Sequence, residues 1–228
     1  MDFSQVFKNT FSKAFSANGF KLSLLTWFLV GILQLAVFST GFSSQPDTLG
    51  LVSLLVAVPI VIVATMVIWV AAIRSFHEER FDWEHFQTNM ASTAFKTFLV
   101  YLLAGTAAYL GLFLLLIPGL IAYTAFYIAL PVLILEDTGI IESLKKSWSR
   151  TNGSRLAIFG LAALLYILTT FVLAPFQVIA VLVGSFGNPG AFAGVIFFAS
   201  YFGVYAQLLT TAATVSVYED ISASQDEG

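Results

Sequence analysis

The chain has 228 residues, of which 58% are hydrophobic and only 10% charged, with a formal net charge of −3. A soluble domain is nearer one-quarter charged, and a globule of this size has too little interior to hide so much apolar surface. The composition excludes an ordinary soluble enzyme, a disordered chain and a nucleic-acid-binding domain, and the lack of cysteine excludes disulfides, thiolate zinc sites and cysteine nucleophiles.

The first predicted element is an amphipathic helix. Phe3, Phe7, Phe11 and Phe15 recur every four residues, Val6 and Ala14 fall on the same side, and Gln5, Lys8, Asn9, Ser12 and Lys13 fall opposite. The pattern predicts a helix lying at a membrane surface, with a cytoplasmic helix packed on the bundle as the alternative. The first span follows over residues 22–42, between Lys21 and Asp47. A signal peptide is the competing reading, but the long polar lead-in and the missing small-x-small cleavage site favour a retained span. The second span covers 49–73 and ends before Arg74. Each run exceeds the roughly 20 residues needed to cross a hydrocarbon core. A second amphipathic segment, 81–90, carries Trp83 and Phe86.

The uncharged run from 97 to 135 is too long for one straight helix at about 1.5 Å per residue. Pro118-Gly119 is turn chemistry and predicts two spans, 97–117 and 120–135, joined by a tight hairpin. A third amphipathic helix is expected over 140–151, with Ile141, Leu144 and Trp148 on its apolar side. The last uncharged run breaks at the Gly- and Pro-rich stretch 184–190, leaving spans over 156–183 and 191–218 and an acidic tail over 219–228. Pro59 and Pro175 fall inside spans, where they kink helices. The runs are apolar on every face and do not alternate as barrel strands do. The expected fold is therefore all-α: an integral membrane bundle of six helices with amphipathic interfacial helices.

All 10 Lys and Arg residues lie before the first span, between the second and third, or between the fourth and fifth. Basic loops stay inside, so both termini are expected in the cytoplasm and the protein in the cytoplasmic membrane. The span junctions also repeat. Asn18-Gly19-Phe20-Lys21-Leu22 parallels Asn152-Gly153-Ser154-Arg155-Leu156, and Phe20-Lys21 parallels Phe95-Lys96. This reads as three copies of one unit: surface helix, span out, turn, span back. Glu78, Glu136 and Glu219 close the even-numbered spans, where the helix dipole disfavours an acid. Lys21, Lys96 and Arg155 are expected to pair with them at the inner face, the alternative being solvated interfacial charges.

The stretch from Ile117 to Gly160 is the most distinctive. Its Pro118-Gly119 turn, Pro131, Glu136, Ser147-Trp148, Asn152-Gly153 and Arg155 resemble the signature of the membrane domain of glycerophosphoryl diester phosphodiesterases and of the YciC-like group of prokaryotic membrane proteins. The resemblance implies a six-span fold and structural roles for these nine residues. The wording Glu136-Asp137-Thr138-Gly139 is similar to that of archaeal members and implies a haloarchaeal source. In those phosphodiesterases the chemistry resides in a separate soluble barrel; this chain ends soon after its last span, so the resemblance carries no activity over.

No Asp, Glu, Lys, Arg or His falls within a predicted span, which argues against carboxylate-coupled transport. Gln34, Gln177 and Gln207 are expected to join helices by hydrogen bonds. His77, Glu78, Glu79, Asp82, Glu84 and His85 form a ligand-rich cluster without HExxH spacing, read as a solvated segment. No catalytic residue, cofactor or metal is expected. The expected role is a non-enzymatic module that binds or organises a partner protein or membrane lipid; a small permease or channel component without titratable groups is the alternative.

Overall fold

Continuous apolar runs satisfy their backbone groups in lipid only as helices or closed barrels. In the computed structural model, which describes residues 1–28, 48–78, 90–185 and 189–226, every regular element is helical. Eight helices are bounded within the described residues: α1 (Phe3–Ala14), α2 (Thr48–Glu78), α3 (Met90–Leu114), α4 (Leu116–Ala125), α5 (Ala129–Leu135), α6 (Ile140–Arg150), α7 (Arg155–Ser185) and α8 (Pro189–Asp226). Residues 17–28 are also helical. Among the described residues, four segments are long and apolar enough to cross a membrane: Met90–Leu114, Leu116–Leu135, Arg155–Val183 and Gly194–Gln225. Most of the expected first span, with Gln34, and nearly all of the 81–90 segment lie outside the described residues. The expected second span falls within the 31-residue helix α2, which contains Pro59.

The hairpin between α3 and α4 differs from the sequence expectation in position. The chain turns at Leu115, which is extended (φ −158, ψ 133), and Pro118 is already inside the first turn of α4. Proline is tolerated there because that N–H has no helical partner to lose. Gly119 serves close packing: a Cβ at this position would lie 2.3 Å from the Leu112 amide nitrogen, and one at Gly111 would lie 2.7 Å from the Gly119 Cα. The two backbones touch where the hairpin closes.

The expected span 120–135 is also interrupted. Pro131 cannot donate to the carbonyl four residues back, and its ring crowds that turn. Accordingly α4 stops at Ala125 and α5 restarts at Ala129, whose amide bonds to the Phe126 carbonyl at 3.1 Å. The Ala125 carbonyl thus loses its helical donor. It accepts instead from the hydroxyls of Ser147 (2.7 Å) and Thr151 (3.3 Å) at the end of α6.

The short helices α1 and α6 turn small, partly hydroxylated stripes inward. Helix α1 buries Val6, Thr10 and Ala14, and exposed Phe15 ends a row of contacting phenylalanine rings. Helix α6 buries Ser143 and Ser147, while Ile141 and Trp148 face outward. This places the expected apolar face of 140–151 largely on the surface. Small residues at the contact leave the backbone within reach of side chains, and the Tyr205 hydroxyl donates to the Ala14 carbonyl at 2.8 Å. The core lies among α2, α5, α7 and α8, with Val70, Ile73, Val132, Leu161, Leu208 and Ala212 fully or nearly fully buried.

Candidate functional site: an aromatic cavity and its polar base

The ends of α2, α5 and α8 meet at one pole of the molecule, together with α1 and α6. Glu136, at the C-terminus of α5, accepts from Arg150, from Lys146 at 3.1 Å and from the Tyr218 hydroxyl at 3.1 Å. Glu219 accepts from Lys13 at 2.9 Å and contacts His77 Nδ1 at 3.0 Å. Lys13 also donates to the Phe76 carbonyl near the end of α2, where free carbonyls concentrate. The rings of His77 and Tyr218 meet edge-on, their centroids 6.2 Å apart, and connect the two clusters. The N-terminal amine lies 4.0 Å from Asp220.

This pairing differs in its partners from the sequence expectation. Glu136 faces Arg150 and Lys146, not Arg155, because α6 packs back against α5 and presents its last turns to that carboxylate. Arg155 has already entered α7; it donates to the Trp148 carbonyl at 3.1 Å and lies 4.5 Å over the Trp148 ring. Lys96 reaches Asp137 at 3.8 Å. Lys21 and Glu78 are exposed and make no ion pair among the described residues. Burial pushes the Glu136 carboxyl up, but hydrogen bonds from Arg150 and Lys146 outweigh it and hold the group below its ordinary value. Glu142 and Glu136 hold the Lys146 ammonium above its ordinary value.

The signature residues divide by role. Pro131 breaks the helix, Ser147 takes up the freed carbonyl, and Trp148 packs at a tilt against Phe126 (centroids 5.7 Å) and lies under Arg155. Gly153 has φ +92, a region L side chains rarely adopt, next to exposed Asn152 in the turn into α7.

One helical turn above this base is a cavity of about 470 Å³ between α2, α3, the α4–α5 break and α8. Helix α3 contributes Tyr101, Ala104, Gly105 and Ala108, a face whose small residues leave the space open. Trp69 and Ile73 of α2 close one side, and Tyr123 and Tyr127 another. Thr210, Thr211 and Thr214 of α8 line the remainder, their hydroxyl protons committed to backbone oxygens of their own helix at 2.7–2.9 Å. Trp69 meets Tyr101 edge-on at 4.9 Å, and its indole N–H is buried without a hydrogen-bond partner. The lining holds no Lys, Arg, His, Asp or Glu. Among the described residues no three His, Asp or Glu side chains gather as a metal site.

Sequence reasoning missed this cavity. Its one local signal was the run Tyr101, Ala104, Gly105, Ala108, Tyr109, small residues flanked by aromatics on one helical face. Gln177 and Gln207 are exposed on α7 and α8 and join no helices among the described residues. A family described as a domain of unknown function (DUF7847) matches residues 84–224, more than half of the chain. No curated protein and no solved structure matches it.

Proposed function

The chain belongs to the DUF7847 family, and from its site we propose a six-span module of the cytoplasmic membrane that binds a lipid-like ligand without transforming it. The observation that carries this reading is the cavity: an open-sided cleft of about 470 Å³, within the range of about 300–1,000 Å³ that holds one small ligand. Its wall is aromatic, apolar and hydroxylic, a surface suited to holding an amphiphile.

The polar pole supports this topology. The N-terminus and the end of α8 lie at the same pole, which requires an even number of crossings between them. With the spans expected from sequence over 22–42 and 49–73 added to the other four, that number is six. Lys13, Lys96, Lys146 and Arg150 all gather there, which supports a cytoplasmic location. The outward aromatics of α1 and α6 support a position at the headgroup level, with lipid as the partner.

Gentle extraction with native lipids followed by native mass spectrometry tests the reading. One reproducible lipid class bound to the wild type and lost on Ala104→Trp is the expected result. A bare chain that conducts solute flux in proteoliposomes overturns it in favour of a permease.

A further inference from the structure

We propose that the cavity selects an uncharged lipid whose head carries a carbonyl oxygen, an inference that rests on the cavity being a ligand site. The wall is chemically one-sided. No Lys, Arg or His is present to meet a phosphate, and no Asp or Glu to meet an ammonium. A charged headgroup drawn between Trp69 and Tyr127 would lose its water and gain no counter-charge, which is strongly unfavourable. The ligand's head is therefore neutral.

The hydrogen-bonding groups narrow the class further. Indole is a donor only, and that of Trp69 is buried with no partner. The indole N–H is covered by its neighbours in the empty protein, so a ligand that displaces them and presses an acceptor against it relieves an unfavourable buried donor. Tyrosine hydroxyls on the same wall can donate alongside it. The threonines of α8 complement them: their protons bond to backbone oxygens, so their own oxygens remain as acceptors. An ester or ketone carbonyl satisfies the indole, and a free hydroxyl, where the head carries one, satisfies a threonine. Acylglycerols and quinones share the carbonyl and differ in the hydroxyl. The volume accommodates a head and part of one chain, with the remaining tail leaving between the helices into lipid.

The full-length protein in neutral detergent is titrated with dioctanoylglycerol, decyl-benzoquinone and dioctanoyl phosphatidylglycerol, and the complexes are counted by native mass spectrometry. At least one neutral ligand is expected to bind about tenfold or more tightly than the anionic one. Trp69→Phe, which keeps an aromatic but smaller side chain and removes the donor, is expected to weaken that ligand about tenfold and leave phosphatidylglycerol unchanged. Thr214→Val weakens a bound acylglycerol but not a bound quinone, which identifies the source. Ala104→Trp, or Gly105→Leu should the first fail to fold, fills the chamber and is expected to abolish binding; a Cβ at Gly105 meets no atom within 4 Å. Phosphatidylglycerol binding as tightly as both neutral ligands, neither neutral ligand binding, or a Trp69→Phe variant indistinguishable from wild type overturns the ligand class. Binding that survives both filling variants overturns the cavity reading itself.

Discussion

Three donors from two helices converge on the carboxylate of Glu136, and that convergence fixes how the end of α5 sits. Replacing it by Gln keeps the shape but removes the charge that Arg150 and Lys146 face. Glu136→Gln should cost about 2 kcal/mol, read as a lower thermal midpoint in detergent. Its pH dependence has a definite sign. The folded carboxyl titrates below its ordinary value of 4.5, so its contribution is complete above that pH and is lost as pH falls through the lowered folded value. Wild type should therefore lose more stability than Glu136→Gln across that acid window, measured by melts on either side of it. The charge-swapped pair Glu136→Arg with Arg150→Glu should recover part of the loss in either single variant, whereas Glu136→Lys with Arg155→Glu should not. Gly153, at φ +92, makes a second test: Gly153→Ala should cost about 1–3 kcal/mol of strain. At this scale the acids at the span ends were legible from the dipole argument. Their partners were not, because Arg150 and Arg155 are five residues apart in sequence and lie on different helices.

The helix break between α4 and α5 shows how one element is completed by another. At the break the Ala129 amide turns to the Phe126 carbonyl and leaves that of Ala125 free, and α6 supplies the hydroxyl that takes it up. Ser147→Ala should therefore destabilise by about 1 kcal/mol. Thr151→Ala should cost less, since that hydroxyl lies farther from Ala125 and also bonds to the Ser147 carbonyl at 2.8 Å. The hairpin at Leu115 gives a sharper contrast. Gly119→Ala brings a Cβ onto backbone that cannot yield and should sharply lower the yield of folded protein. Gly105→Ala enters open space and should be neutral or stabilising by about 0.5–1 kcal/mol; folded yield and thermal midpoint separate the two. Pro118-Gly119 announced a turn from sequence, yet its two residues do different work: proline begins a helix, and glycine lets that helix touch its neighbour.

Across the whole molecule, the converging poles of α1, α2, α5 and α8 imply a topology that a cysteine-free chain makes easy to check. Single cysteines at Ser44 and Asn188 should label only from the outer side with an impermeant reagent, and one at Ser4 only from the inner side; labelling of Ser44 or Asn188 from inside alone would reverse the orientation. The all-helical class, the length of the apolar segments and the clustering of charge at their ends were determined by the sequence by itself, because hydrocarbon leaves an apolar backbone few ways to satisfy its polar groups and confines charge to the boundaries. Which acid meets which base, where the α4–α5 helix breaks, and whether small residues on α3 leave a chamber were decided only by tertiary structure. Each depends on residues distant in the chain arriving at one place: Tyr218 beside Glu136, Ser147 beneath Ala125, and Trp69 across from Gly105. Local periodicity specifies a helix and its faces, but what those faces enclose is a property of how the helices cross.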